Sequence, residues 1–368
     1  MKNIKLIFSF VLLLAVTISC SIPDGIDQDA TFLSSATSAN VSPIFDISND
    51  NSGIVKITPT GEGVVSFTVN YGHGAGSSAS AVVVPGGNTS HIYPEGSYTV
   101  SIVATDIAGQ QKTTTFPLEI TYRAPENLTI STSGEMKVKA SALYAKSFLV
   151  YYGDVASEVG TPMAIGQELP AHTYPAPGAD PYVLRVEALS GGAAKTSATK
   201  TLFDLPIDFE TADVDFFGTF DDWGQQQFAT ADNPNASGIN TSAKVGMYTN
   251  GHAGWSGTYS PLNIPINFAY GKKITVMVYN PDAANIGKKL NIELEKVVGL
   301  PGDPANPYGA VVKTAFTTSG AWEELTFDFS GISAIPADAK FSQLVLRFND
   351  SQNGTQEVFY VDNFRQTN

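Results

Sequence analysis

The sequence is poor in cysteine, histidine and basic residues, and each shortage excludes a class of protein. Cys20 is the only cysteine in 368 residues, so no disulfide can form within the chain. Lysine and arginine number 21 against 35 acidic residues, which gives a formal charge of −14. Binding to nucleic acid or to an anionic membrane needs clustered basic side chains, so neither is expected as a partner. The 4 histidines show no metal-ligand spacing such as His-x-x-x-His.

The amino terminus carries an apolar stretch that is too short to cross a bilayer as a helix. It runs from Leu6 to Ile18, follows two lysines and ends just before Cys20. We interpret residues 1–19 as a signal peptide and Cys20 as the lipidated first residue of a bacterial lipoprotein. An ordinary signal peptide that happens to contain a cysteine is the alternative.

Residues 20–40 are rich in serine, alanine, threonine and aspartate, which predicts a flexible tether. Asp24, Asp27 and Asp29 follow the cysteine closely. This acidic segment resembles the surface-export signal of Bacteroidota lipoproteins, and the resemblance implies an outer-membrane, lipid-anchored, surface-exposed protein.

Two segments of the chain share the same sequence pattern. "FTVNYG" begins at Phe67 and "FLVYYG" at Phe148, while "HIYPEG" begins at His91 and "HTYPAP" at His172, so both pairs are offset by 81 residues. A shared offset over this span indicates two duplicated units of about 80 residues. Period-two alternation of apolar residues, punctuated by Gly and Pro, predicts a small β-sandwich for residues 41–122 and another for residues 123–205.

The residues "YG…HxYPxxGxY…V" resemble the polycystic-kidney-disease (PKD) type of immunoglobulin-like domain. The usual Tyr-Gly-Asp-Gly turn of that family reads "YGHG" at Tyr71 here and "YYGDV" at Tyr151. In that family the His-x-Tyr corner is structural, so the resemblance implies that His91 and His172 are corner residues rather than metal ligands. The two units are then expected to be spacers.

Residues 206–368 lack the 81-residue register but alternate with period two in several segments, such as "KKITVMVYN", "WEELTFDFS" and "QEVFYVDNFR". About eight antiparallel strands suggest a jelly-roll sandwich. The whole chain is therefore predicted to be all-β, with two tandem immunoglobulin-like sandwiches followed by a jelly roll.

The last domain resembles the carbohydrate-binding-module-like jelly rolls of Bacteroidota glycan-utilisation proteins. The resemblance is carried by "DFE", "DNPNASGINTSAKVGMYTN", "GWSG" and "FYVDNFR". It implies a structural calcium ion where the first and last strands meet, with Asp208, Glu210 and Asp362 as ligands. The alternative is that the first two are solvated and that Asp362 caps a turn.

Aromatic side chains are the main candidates for glycan binding, because a pyranose ring stacks its apolar face on Trp or Tyr. All 3 tryptophans lie in the last domain. The candidate glycan-binding residues are Trp223 and Trp255, which occupy polar, glycine-flanked stretches. Tyr248 and His252 are added because they lie close to Trp255 in sequence, and Tyr308 because it lies in a Pro/Gly-rich loop. Trp322 begins an alternating strand and resembles a core residue of the family, and Phe216, Phe217 and Phe220 are expected in the core.

The sequence offers only weak candidates for catalytic residues. Glu293 and Glu295 share one face of a predicted strand, but an exposed strand face explains them. The sequence has neither the Glu-x-Asp-x-x-Glu motif of laminarinase-type glucanases nor a Gly-x-Ser-x-Gly elbow.

These observations predict a non-catalytic, monomeric surface lipoprotein that captures a neutral polysaccharide, with β-1,3-glucan (laminarin) as the specific guess, for a neighbouring importer in the outer membrane. An adhesive protein with a protein partner and a divergent glycoside hydrolase are the alternatives.

Overall fold

The computed structural model describes residues 37–175, 182–210, 217–221, 224–300, 305–350 and 352–368. The predicted signal peptide, Cys20 with its predicted lipid, most of the tether, Phe216 and Trp223 lie outside the described residues. Strands make up almost all regular structure in the described part, and the prediction of an all-β chain is confirmed. Within these residues, no helix reaches the length and apolarity required to cross a membrane.

The chain divides into two compact units, residues 1–122 and residues 123–368. The described part of the first unit has a three-stranded sheet, β1-β2-β5, and a four-stranded sheet, β4-β3-β6-β7. Its elements are β1 (Ala39–Ile47), β2 (Ile54–Glu62), β3 (Val64–Asn70), a 3₁₀ turn (Gly76–Ser78), β4 (Ser80–Val83), β5 (Thr89–Ile92), β6 (Gly96–Asp106) and β7 (Gln111–Ile120).

Alternation along the strands builds the core of this unit. In β6, Val100, Ile102 and Ala104 are fully buried while their neighbours face outward. Period two places every second side chain on one face, so this face packs against Val55 and Ile57 of the opposite sheet.

A repeated tyrosine corner joins the layers of each copy. The Tyr93 hydroxyl donates to the Tyr71 carbonyl oxygen at 3.0 Å, and the Tyr174 hydroxyl donates to the Tyr152 carbonyl oxygen at the same distance. The tyrosines that donate, 93 and 174, are 3% exposed or less, and burial raises the pKa of both. The duplication read from the sequence is therefore visible in matching contacts.

The second unit contains both the second sandwich and the jelly roll. The sandwich has a two-stranded sheet, β8-β9, and a four-stranded sheet, β11-β10-β12-β13. Its strands are β8 (Glu126–Thr132), β9 (Val138–Leu143), β10 (Ser147–Tyr151), β11 (Thr161–Ala164), β12 (Val183–Leu189) and β13 (Lys195–Thr201).

The jelly roll follows with two five-stranded sheets. We call β14-β17-β22-β19-β20 the front sheet and β15-β16-β23-β18-β21 the back sheet. The elements are β14 (Gly218–Phe220), β15 (Gln227–Asp232), β16 (Lys244–Thr249), β17 (Gly257–Asn267), a 3₁₀ turn (Phe268–Tyr270), β18 (Lys273–Tyr279), a 3₁₀ turn (Ala283–Asn285), β19 (Lys289–Val297), β20 (Val311–Ala315), β21 (Trp322–Asp328), a 3₁₀ turn (Phe329–Gly331), β22 (Lys340–Phe348) and β23 (Val358–Thr367).

The core of the jelly roll lies between the two sheets. Leu290, Ile292 and Leu294 of β19 face inward, and so do Val276 and Val278 of β18. Because these positions alternate, residues 291, 293 and 295 of β19 are on the opposite, outward side of the front sheet. This parity decides which side chains can meet a ligand.

Polar contacts tie the jelly roll to the second sandwich. The Asn263 side chain accepts from the Phe203 amide at 2.9 Å and donates to the Thr132 hydroxyl at 3.2 Å. The Tyr270 hydroxyl donates to the Tyr174 carbonyl oxygen at 3.3 Å. The two sandwiches of this unit are thus joined by more than the connecting segment.

Replacing Tyr93 by phenylalanine removes the buried corner hydrogen bond and leaves the Tyr71 carbonyl without it. We expect Tyr93→Phe to lower the free energy of unfolding of the first unit by about 1–2 kcal/mol, measured by chemical denaturation of the full chain. Tyr98→Phe is the matched control, because its hydroxyl also donates to a carbonyl, that of Pro94 at 3.0 Å, but this hydrogen bond is exposed to solvent. Equal losses in the two variants would contradict the role given to burial.

Candidate functional site

The outward side of the front sheet, which we call the front face, carries a row of side chains that crosses all five strands. Phe220, Gly257, Arg347, Asn291 and Lys313 lie side by side, one from each strand, by the register of the sheet. Neighbouring strands are about 4.8 Å apart, so the row is roughly 19 Å long. It has an aromatic end at β14 and a polar end at β20.

Gly257 lets the two large side chains beside it cross the sheet. A Cβ atom at this position would lie 2.7 Å from the Phe220 ring and 2.9 Å from Cγ of Arg347. The missing side chain therefore gives both neighbours the space that they occupy above β17. Arg347 uses it to hold its guanidinium carbon 5.4 Å from the centroid of the Phe220 ring.

Three aromatic rings form the aromatic end. The Trp255 and Phe220 rings are parallel within 6°, with centroids 6.4 Å apart, and Tyr259 lies 6.4 Å from Phe220. Trp255 is 49% exposed, although tryptophan is usually well buried. An open indole in line with a second ring is a surface on which a flat apolar ligand face can stack.

The loop that carries Trp255, residues 250–256, is held in place at its start. Gln226 accepts from the Gly251 amide at 2.8 Å through its side-chain oxygen. The Asn250 side chain donates to the Glu357 carboxylate at 3.0 Å, and the Asn250 amide donates to the Glu357 carbonyl oxygen at 2.9 Å. These bonds connect the loop to the segment that leads into β23.

Glu357 is the charged centre of this anchor. Burial alone would raise its pKa, but hydrogen bonds from the Thr355 amide, Asn250 and Lys288 outweigh burial and lower the pKa from 4.5 to about 2. The carboxylate is thus held ionised, and it stabilises the loop throughout the neutral range.

Charged side chains at the polar end are paired with one another. Arg347 lies 3.3 Å from Glu293, and Lys313 lies 2.6 Å from Asp350. Burial raises the pKa of Glu293, while Arg347 opposes that change. Since each of these two pairs joins opposite charges, the pairs add polar groups but no net charge to this end.

Asn291 lies fully buried beneath this polar end. Burial raises the pKa of the Asp350 carboxyl, but the Lys313 and Asn291 side chains lower it by more. Asn291 is therefore close to this carboxyl. Neither its side-chain oxygen nor its nitrogen makes a hydrogen bond of normal geometry among the described residues. A buried amide left without partners costs free energy, so this position favours a water molecule or a ligand hydroxyl nearby.

Tyr248 is not a binding residue, and that prediction is wrong. Its ring is fully buried, stacks on Phe359 at 4.6 Å and belongs to the core between the sheets. The reason is parity: Tyr248 shares the inward side of β16 with Gly246, whereas Met247 faces out. Proximity to Trp255 in sequence did not place it on the same surface.

The other candidates divide between the two ends of the jelly roll. His252 is exposed in the same loop as Trp255. Tyr308 lies in the loop between β19 and β20 and packs edge-on against Phe341 at 6.5 Å. Phe341 is six residues from Arg347 along β22, so Tyr308 is roughly 20 Å from the row across the front face. The structure does not bring Tyr308 into the site.

Several residues of the jelly roll differ in burial or in orientation from what the sequence predicts. Phe217 is buried as expected, but Phe220 is only half-buried and belongs to the front face. Glu293 was expected on an exposed strand face, yet it is 6% exposed beneath Arg347. Trp322 is 8% exposed, but it lies on the outward side of the back sheet, where its indole N–H donates to the Asn235 carbonyl oxygen at 2.9 Å.

The three predicted calcium ligands do not form one cluster. Glu210 accepts from the Ala243 and Lys244 amides at 2.7 and 3.0 Å, which occupies one of its oxygens as a loop cap. No group of three or more His, Cys, Asp or Glu side chains that could hold a metal ion occurs in the part of the chain that the structure describes. The three-carboxylate set is therefore not assembled as the resemblance implied.

Asp208 and Asp362 do lie near each other, because Ile207 pairs with Phe364. The pKa of Asp362 is raised to about 6, because burial and the charge of Asp208 outweigh the hydrogen bonds from Ser242, Asn240 and Asn363 that lower it. Two carboxylates that repel each other in a buried setting would gain from a bound cation. A calcium ion at this pair stays a prediction.

A separate cavity of about 220 Å³ lies where the second sandwich meets the jelly roll. The wall is mostly apolar, formed by Met136, Tyr174, Ile264, Pro265 and Tyr270 among others. Its lining also includes Glu135, His172, Asn267 and Lys340, but the described lining lacks an exposed indole such as Trp255, so the front face remains the better candidate.

No protein-family model matches the chain, and no curated protein matches it. Solved structures with some similarity include a carbohydrate-binding module of the β-sandwich superfamily, at 12% identity and a TM-score of 0.30, with 89% of this chain and 98% of that chain covered. A family 11 module from Clostridium thermocellum, in complex with a β-1,3-1,4-mixed-linked tetrasaccharide, has 16% identity, a TM-score of 0.32 and coverage of 45% and 94%. The CBM22-1 xylan-binding domain of Xyn10C from Paenibacillus barcinonensis has 13% identity, a TM-score of 0.27 and coverage of 43% and 88%. At such low identities and TM-scores, these similarities do not indicate what this chain binds.

Removing the Glu357 charge should loosen the Trp255 loop in a pH-dependent way. The pKa is lower in the folded state, so the unfolded state binds the proton more tightly, and the stabilisation is lost as pH falls from 4.5 towards 2. We expect Glu357→Gln to lower the free energy of unfolding at pH 7 by about 1–2 kcal/mol, with the difference from wild type shrinking in acid. Glu324→Gln, at an exposed position of the back sheet, is the control, and an equal effect of both changes would contradict the anchor.

Calcium binding at Asp208 and Asp362 predicts a metal-dependent melting temperature. We expect millimolar calcium to raise the melting temperature by a few degrees relative to EDTA, because a ligand bound only by the folded state stabilises it. Asp362→Asn should abolish that increase. Identical melting curves of the wild type in calcium and in EDTA would remove the ion from the account.

Proposed function

We propose that this chain is a non-catalytic polysaccharide-binding protein and that the front face of its jelly roll is the binding surface. The observation that carries the proposal is the exposed Trp255 indole, which is parallel to Phe220, the aromatic residue that lies beside Arg347 in the row across the sheet. Sugar rings stack their C–H faces on indole and phenyl rings, and their hydroxyls need planar polar partners close by. Both requirements occur along one row.

The size of the row supports a chain rather than a single sugar. About 19 Å between the outer strands exceeds the length of one pyranose ring several times over. No enclosed cavity is needed, because an extended glycan lies along an open surface. The aromatic end would stack one or two rings, and Arg347 and the groups around it would bind hydroxyls further along.

The charge pairing at the polar end favours a neutral glycan. Lys313 is engaged by Asp350, and Arg347 is engaged by Glu293, so both basic side chains of the row already have a carboxylate partner and are less available to a uronate or sulfate group. The formal charge of −14 adds a general repulsion of acidic polymers. A β-1,3-glucan such as laminarin remains our specific guess within the neutral class.

The cellular setting is part of the proposal and rests on the sequence alone. A lipid on Cys20 would anchor the chain in the outer membrane, the two sandwiches would project the jelly roll outward, and captured glycan would pass to a neighbouring importer. The protein is expected to act as a monomer.

The two glutamates that could have suggested hydrolysis serve structural contacts. Glu293 is paired with Arg347, and Glu295 accepts from the Gln343 side chain at 2.8 Å. A glycosidase needs one carboxylate as acid and another as base or nucleophile, both facing the scissile bond. Engaged with these partners on adjoining strands, the pair supports binding rather than hydrolysis.

Affinity electrophoresis and calorimetry of the full chain test the proposal. A panel of neutral glycans (laminarin, mixed-linkage glucan, xylan, mannan) and acidic ones (alginate, pectin) should give binding only among the neutral members. Trp255→Ala and Phe220→Ala should each weaken binding by at least about tenfold, which corresponds to about 1.4 kcal/mol, because each removes a stacking surface.

Tyr308→Leu is the control for an aromatic residue at the opposite end of the jelly roll, and it should leave the dissociation constant unchanged. Circular dichroism establishes that each variant is folded. A wild-type chain that binds no glycan, or a Trp255→Ala variant that binds like wild type, would reject the front face as the site.

A further inference from the structure

The two copies of the sandwich differ at one titratable position of the repeated corner. Applying the offset of 81 residues, His73 corresponds to Asp154, and His91 corresponds to His172. In the first copy, Nδ1 of His73 lies 3.0 Å from Nε2 of His91. In the second copy, the Asp154 carboxylate lies 2.8 Å from Nε2 of His172.

Each pair ties the two layers of its sandwich together. His73 follows β3 in the four-stranded sheet, whereas His91 lies in β5 of the three-stranded sheet. The His91 ring is fixed by stacking on Tyr71, with centroids 4.2 Å apart and planes 13° apart. The corresponding His172 ring stacks on Tyr152 at 3.7 Å. The two ties are therefore equivalent in position and in packing.

Protonation acts on the two ties in opposite directions. A hydrogen bond between two imidazoles needs one unprotonated nitrogen as acceptor, so it cannot exist when both rings are charged. Two imidazolium ions at 3.0 Å also repel each other. A protonated His172 instead gains a charge-assisted bond to the Asp154 carboxylate.

We propose that the His73–His91 hydrogen bond is an acid-sensitive tie between the two sheets of the first unit, and that the second sandwich lacks this sensitivity because Asp154 replaces the first histidine. The tie loosens in mild acid, so the first unit opens locally while the second sandwich keeps its corner closed.

The surroundings of the first pair support the direction of the effect. Phenol rings face it, those of Tyr71, Tyr93 and Tyr98. Burial and then the charge of His73 lower the pKa of His91 below 6.5. The unfolded state therefore takes up the proton first, and the contribution of this pair to stability is complete above about pH 6.5 and is lost as pH falls below it.

The surroundings of the second pair differ. His172 faces Asp154 and the rings of Tyr152 and Tyr174, and Glu135 and Lys340 line the same cavity wall. A positive charge on His172 would face the Asp154 carboxylate, whereas a positive charge on His91 would face another imidazole, that of His73.

Hydrogen–deuterium exchange of the full chain at pH 7.5 and pH 5.5, corrected for intrinsic exchange rates, tests the proposal. The amides of Thr89–Ile92 should lose protection at the lower pH, by up to about tenfold, which is the limit for one proton whose pKa is 6.5 in the opened state. The peptide around His172 should keep its protection.

Exchanging the residues between copies supplies matched variants. His73→Asp should remove the acid sensitivity of the first copy, and Asp154→His should create it in the second. Equal protection of Thr89–Ile92 in the wild type at both pH values would overturn the proposal by itself, whatever the folding of the variants. A His73→Asp chain that is folded at pH 7.5 and still loosens like wild type would overturn it as well.

Discussion

The proposed binding surface depends on the hydrogen bonds that hold residues 250–256 against the segment leading into β23. An exposed indole on a loose loop would have to be ordered each time a ligand binds, and that entropy would weaken binding. Here hydrogen bonds from the Thr355 amide, Asn250 and Lys288 keep Glu357 ionised, and the Gln226 side chain accepts a hydrogen bond from the Gly251 amide. The loop is therefore placed before any ligand arrives, and Trp255 lies parallel to Phe220 as a result.

The front sheet beneath the loop also has its outward side chains fixed in place by the fold. Alternation gives the inward side of the front sheet to the core and the outward side to a row of larger side chains. Gly257 provides the space in which Phe220 and Arg347 cross the sheet, and the paired charges at the other end avoid strong net charge. A surface of this kind suits an uncharged, extended ligand better than a charged one, and the ligand can bind without a rearrangement of the sheet.

Much of this architecture follows from the sequence because strand alternation and an internal repeat are local patterns. The corner tyrosines 93 and 174 were placed correctly by the shared offset, and Trp255 was recognised as exposed from its polar, glycine-flanked context. Proximity in sequence was a weaker guide than alternation. Tyr248 was a candidate because it lies near Trp255 in the sequence, but its position in β16 places it on the inward face and in the core.

Residues brought together from distant strands could not be identified in advance. Phe220 and Arg347 are 127 positions apart in the sequence, and they meet only because β14, β17 and β22 are neighbours in the front sheet. The one available signal was an arginine in the middle of the apolar strand "LVLRF". Sheet order depends on the pairing of whole strands, so the row across the front face became visible only in three dimensions.

A crystal structure of the chain with a bound neutral oligosaccharide tests the central claim most directly. The account predicts a pyranose ring stacked on Trp255 or Phe220, with the sugar chain running across the strands towards Arg347 and its hydroxyls bonded to the polar end. An oligosaccharide bound to the back sheet or to either immunoglobulin-like sandwich, with the front face bare, would contradict it.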